Sequence, residues 1–127
     1  PVAGNADRKA AEFVIKNGGG IWINGVHNTA GIWQRTMPEG DFRLTGVTIG
    51  IGGKNLKPED FRVFEGCKNI TAIAFGDVPI GDEGLAFFQN SPSIRYLGLQ
   101  NTGVTDKGLA QFQKQKDLSL LTLYEPK

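Results

Sequence analysis

At 127 residues, with 39% hydrophobic and 21% charged side chains, the chain is long enough to bury one core and too short for two ordinary domains, so residues 1–127 are read as a single domain. Lys and Arg number 14 against 13 Asp and Glu, and this formal charge of +1, with the basic residues scattered, gives no footprint for nucleic acid or an anionic membrane. The lone cysteine, Cys67, excludes an internal disulfide and a Cys-rich metal site, and no apolar run approaches the roughly 18–20 residues of a membrane span.

Pro1 opens the chain in place of Met, which implies that upstream residues were removed. Asn5 can cap a helix running through about Lys16, with Ala6, Ala10, Phe13 and Val14 as its apolar stripe and Asn17-Gly18-Gly19-Gly20 as its terminator. Ile21 to Gly25 then reads as a strand. Val26 to Gly40 reads as a loop that Trp33 and Met37 pin to the core, and residues 1–43 together are assigned as an N-terminal cap.

From Leu44 onward the sequence repeats. Ile70, Ile73 and Phe75 align with Ile94, Leu97 and Leu99, then with Leu118, Leu121 and Leu123, at steps of 24 residues. The same offset carries Ile80 onto Val104, Asp82 onto Asp106, Gly84 and Leu85 onto Gly108 and Leu109, and Phe88 onto Phe112. Leu44, Val47 and Ile49 lie 26 residues before their equivalents, so two residues are inserted around Gly52 and Gly53, expected to form a flexible turn. Within a unit, Leu97-Gly98-Leu99 alternates as a half-buried strand does, while Gly108 to Phe112 places apolar residues at i and i+3 as a helix does. Acidic residues open the helical segments at Glu59-Asp60, Asp82-Glu83 and Asp106, and Pro58 suits a first turn. Neither strand nor helix can bury its apolar face alone, so neighbouring units are expected to stack into a parallel sheet backed by helices, with right-handed crossovers.

Val104-Thr105-Asp106-Lys107-Gly108-Leu109, following the strand Leu97 to Leu99, resembles the V-T-D-x-G-L turn of bacterial leucine-rich-repeat proteins of the ribonuclease-inhibitor-like kind. The resemblance covers about residues 44 to 123. It implies an α/β solenoid, repeats over 44–127, strands lining a concave face, and a role in protein interaction. After each strand the position that such repeats fill with Asn, Cys or Thr is here Gly52, Val78, Thr102 and Pro126, so the side-chain ladder associated with it is not expected. Cys67, whose equivalents are Ser91 and Gln115, is read as a buried filler.

The sequence offers little chemistry. His27 and Cys67 have no carboxylate at a pairing distance along one element, and no metal-ligand spacing occurs, so the expectation is a non-enzymatic module without metal or cofactor. Gly50-Ile51-Gly52-Gly53-Lys54 looks like a phosphate loop but lacks the first glycine, which is Thr48, and the final Ser or Thr, which is Asn55; phosphate or nucleotide binding is the weakest alternative. Strand residues flanking the inward ones should face solvent: Gly46, Thr48 and Gly50, then Ala72, Ala74 and Gly76, then Tyr96, Gly98 and Gln100, then Leu120, Thr122 and Tyr124. Trp22, Thr48, Tyr96, Gln100, Leu120, Thr122 and Tyr124 are the candidate contacts for a protein partner, aromatic residues being frequent at binding hot spots. A rival reading is self-association, with two copies pairing through the edge of the strand Leu118 to Tyr124, which Glu125-Pro126-Lys127 protects only slightly. No membrane insertion is expected.

Overall fold

The computed structural model describes residues 5–26 and 33–112 and the main-chain course of 120–124. His27, Leu118 and Glu125 to Lys127 therefore lie outside the described residues, as do the side chains of Asn5, Leu120, Thr122 and Tyr124.

Helix α1 spans Asn5–Lys16, as the sequence indicates. It stops in a Schellman arrangement: Gly18, at φ +80°, donates to the Ile15 carbonyl, and the Gly19 amide reaches the Val14 carbonyl at 2.8 Å. Strand β1, Gly20–Ile23, ends two residues earlier than its hydrophobic pattern suggests. The reason is the Asn24-Gly25 pair: both residues take positive φ, and the Val26 amide donates back to the Ile23 carbonyl, as in a tight hairpin-type turn.

Strands β2 (Leu44–Ile49), β3 (Ala72–Gly76), β4 (Tyr96–Gln100) and β5 (Leu120–Tyr124) complete a mixed, open sheet in the order β1-β2-β3-β4-β5. β1 pairs antiparallel to β2; the other pairs are parallel. Gly46 lies opposite Ala72, Ala72 opposite Tyr96, and Tyr96 opposite Leu120, so the pairing register reproduces the 26-, 24- and 24-residue offsets of the sequence. The β1 edge is covered by the loop, where Gln34 and Ile21 exchange main-chain hydrogen bonds at 2.8 and 3.0 Å.

The segments between the parallel strands are shorter and tighter than full α-helices. Pro58–Phe64 is a 3-10 helix; α2 (Gly81–Leu85) and α3 (Asp106–Leu109) are single turns that run on into 3-10 turns at Ala86–Phe88 and Ala110–Phe112. Apolar residues exactly three apart, Phe61 and Phe64 or Leu85 and Phe88, eclipse each other on a 3-10 turn and so bury together. They meet the inner side chains of the strands in one core. Phe64 stacks on Phe88 with ring centroids 4.6 Å apart, Phe75 packs beside both, and Phe13 of α1 meets Phe61 and Phe64 edge-on at 5.8 Å. Each such buried ring contributes about 1.5–3 kcal/mol of burial energy.

Polar contacts between successive units span 24 to 26 residues. The Ser91 hydroxyl donates to the Cys67 carbonyl at 2.7 Å, Asn90 to Glu65, Asn101 to the Asp77 carboxylate at 2.9 Å, and Thr71 to the Thr45 carbonyl. Asp77 and Asn101 both sit at positive φ just after their strands, which Asp and Asn tolerate. The side-chain ladder thus falls one residue before the position the resemblance emphasises; at that position the Thr102 hydroxyl is buried and makes no hydrogen bond among the described residues.

The insertion at Gly52 and Gly53 meets the end of α1. It forms a 3-10 turn over Ile51–Gly53, and a Cβ on Gly52 would come within 2.5 Å of the Asn17 carbonyl oxygen. Gly53 is buried beside Ile49 and Leu56, while Gly52, exposed, lies against the end of α1.

Candidate interaction surface

The inner face of the sheet is closed by the helical segments, and the opposite face carries the more exposed strand side chains. Alternation decides which side chains reach it. In β4, Leu97 and Leu99 are buried while Tyr96 and Gln100 are exposed and Gly98 lies between them; in β3, Ile73 and Phe75 are buried and Ala74 and Gly76 partly exposed.

At the β1 end the face is covered, against the expectation that Gly46 and Ala72 face solvent: both are buried. Trp22 lies across β2, where a Cβ on Gly46 would come within 2.8 Å of its ring, so only glycine fits beneath it. Trp33 approaches Gly20 through its Cβ and stacks on Trp22, with centroids 4.0 Å apart and planes within 5°. Trp22 is consequently half-buried, one face taken by Trp33. Met37 packs against the core as its loop position suggested, whereas Trp33 anchors the loop to the open face instead.

The other candidate residues are placed as follows. Thr48 is half-buried and its hydroxyl donates to the Ala74 carbonyl at 2.7 Å. Tyr96 and Gln100 stand exposed at the two ends of β4. The main chains of Leu120, Thr122 and Tyr124 lie opposite Tyr96, Gly98 and Gln100.

Two hollows mark this face. A shallow trough of about 240 Å³ runs over Ala74, Gly76, Gly98 and Gln100 at the far ends of β3 and β4. A deeper cleft of about 310 Å³ lies at the starts of the parallel strands, lined by Trp22, Val26, Thr45, Thr71, Arg95 and Tyr96. The cleft brings Trp22 and Tyr96 together. Sequence reasoning missed its other residues, although Thr45, Thr71 and Arg95 hold equivalent places immediately before successive outward-facing strand positions.

Catalytic alternatives find little support in the geometry. Burial pushes the Cys67 thiol up to about 12, helped by the charge of Asp7 and a hydrogen bond to it, so no thiolate nucleophile forms near neutral pH. Asp7 itself is buried and accepts the Leu44 amide at 2.8 Å, tying α1 to β2. Among the described residues no three His, Cys, Asp or Glu side chains gather where they could hold a metal ion. The Gly53 and Lys54 amides donate to the Gly50 and Ile51 carbonyls, so they close their own turn rather than point toward a phosphate. No helix among the described residues is long and apolar enough to cross a membrane.

Comparison with protein-family models and with curated proteins gave no match.

Proposed function

We propose that this chain is a short leucine-rich-repeat-like solenoid that binds a protein partner on its open sheet face and carries out no chemistry of its own. The observation that carries the reading is the shape of that face. Small side chains at Ala74, Gly76 and Gly98 leave a trough whose lining carries no formal charge, Tyr96 stands exposed on the same face, and the Trp22–Trp33 stack lies at its β1 end, giving an open surface with aromatic anchors. The match between pairing register and sequence offset supports the repeat reading.

Gly98 supplies the test. A Cβ there would meet nothing closer than 3.8 Å, so the backbone accepts a side chain at this position, and Gly98→Tyr, checked for native folding by circular dichroism, places a ring in the trough. Peptides selected from a random dodecapeptide phage library on the immobilised chain should lose at least tenfold in affinity on Gly98→Tyr. Peptides that bind the variant equally well would place recognition elsewhere.

Self-association is the second reading, favoured by the asymmetry of the sheet. β1 is covered by residue 34, whereas among the described residues no strand lies beyond β5. Light scattering over a concentration series would then show a dimer that Thr122→Pro abolishes; a strict monomer at high concentration removes this reading.

A further inference from the structure

We propose that the cleft beside Tyr96 is the anchor pocket of the docking face, taking one large apolar side chain from an extended partner segment in which an acidic residue neighbours that anchor. The inference rests on the docking reading and adds the partner's chemistry to it.

The described chain exposes three large hydrophobic side chains, Val26 at 71%, Ile51 at 68% and Tyr96 at 40%. A single exposed apolar residue is ordinary, but two of these three line one cavity. The Asn24-Gly25 turn is what brings Val26 there. A volume of about 310 Å³ stands at the lower limit of small-molecule pockets, which suits a side chain better than a cofactor.

The threonine hydroxyls in the walls are already engaged. The Thr45 hydroxyl donates to the Trp22 carbonyl and accepts from the Gly25 amide, both at 3.2 Å, and the Thr71 hydroxyl donates to the Thr45 carbonyl at 3.0 Å. With those hydroxyls already bonded, an entering hydrocarbon leaves neither of them without a partner. Stacking on Trp33 holds the Trp22 wall in place before binding, which lowers the entropic cost of association.

Continuity and charge define the rest of the guest. Tyr96 and Gly98 connect cleft and trough along β4, and β3 from Ala72 to Gly76 is about 13 Å long at roughly 3.3 Å per residue, room for four or five residues of extended peptide. Trough residues carry no formal charge, and Arg95 carries the only permanent one among the cleft residues. A guanidinium offers five donors in a fork, so it can add a partner's carboxylate to the contacts it already makes.

The dodecapeptide selection tests this directly when its products are resynthesised and titrated against the intact chain. The expected products share a Leu, Met, Phe or Trp next to Asp or Glu, and alanine at the apolar residue weakens binding at least tenfold. Val26→Ser and Tyr96→Ala, confirmed folded by circular dichroism, weaken it by at least threefold. Arg95→Gln weakens the Asp-containing peptide but leaves its Asn version unchanged, a difference that a merely structural role for Arg95 would not produce. Peptides lost on Gly98→Tyr yet indifferent to their apolar residue, or equally affected by Arg95→Gln with Asp or Asn, overturn the pocket and leave the docking face standing. Absence of any peptide sensitive to Gly98→Tyr overturns both.

Discussion

Asp82 accepts hydrogen bonds from the Thr105 amide at 2.7 Å and the Thr105 hydroxyl at 2.6 Å, so the carboxylate that opens one helical turn fixes the start of the next. The same carboxylate fills the space that a Cβ on Gly108 would need, as Ile80 and, further off, Pro58 crowd Gly84 one unit earlier. The glycine of the V-T-D-x-G-L turn is thus required by the residue standing one unit before it. Gly108→Ala should cost about 1–3 kcal/mol and Asp82→Ala about 1 kcal/mol. In the double variant the costs should fall short of their sum by more than about 0.5 kcal/mol, measured by urea unfolding. Strict additivity would show that the two residues do not touch.

Acid should weaken the same junction. The side-chain and main-chain hydrogen bonds from Thr105 hold the Asp82 carboxyl below the usual carboxylate range. Its proton is bound less readily in the folded state, so the stabilisation is complete above the unfolded value of about 4 and disappears as pH falls through the lower folded value. The stability difference between the native sequence and Asp82→Asn should therefore shrink as pH falls below the unfolded value. A constant difference would contradict this assignment. The effect is small because the carboxylate remains open to solvent.

At the alkaline end Cys67 contributes with the opposite sign. Its thiol holds the proton more tightly when folded, up to about 12 against an ordinary 9.0, so stability falls as pH rises through that interval. Cys67→Ala should flatten the decline relative to the native sequence in unfolding measurements from pH 8 to 11, and the native thiol should react with an aromatic disulfide only as the chain unfolds. Rapid native-state labelling would show that the site is open.

Gly46→Ala should force Trp22 away from the sheet and break the Trp22–Trp33 stack, costing about 1–3 kcal/mol through overpacking. Near-ultraviolet circular dichroism reads the stack directly, and Trp22→Ala should rescue the stability of Gly46→Ala. An unchanged spectrum in Gly46→Ala would mean that the indole does not lie over this glycine.

These tests also mark where sequence reading stopped. The 24-residue offset announced which strand residues would pair, because identical units stacked in parallel must align like with like, and the Asn17-Gly18-Gly19 run announced where α1 would end. Periodicity separated Leu99 from Gln100 because a strand side chain has only two directions to take. It was silent on Trp22 and Trp33, since stacking joins residues on different elements and depends on rotamers rather than spacing. The same limit hid the cleft: Val26 arrives through a turn, and Thr45, Thr71 and Arg95 differ in type although they share a register. Apolar residues at i and i+3 fit α and 3-10 turns alike, so the tight form of the backing segments showed only in three dimensions.

The claim that the open face of the sheet is the docking surface is tested most directly by amide chemical shifts of the labelled chain titrated with a selected peptide. The expected changes cluster at Ala74 to Gly76, Tyr96 to Gln100 and the Trp22 indole, leaving Phe61 to Phe64 and Leu85 to Phe88 unmoved. Shifts concentrated on Pro58 to Phe64, α2 and α3, with β3 and β4 unaffected, would contradict it.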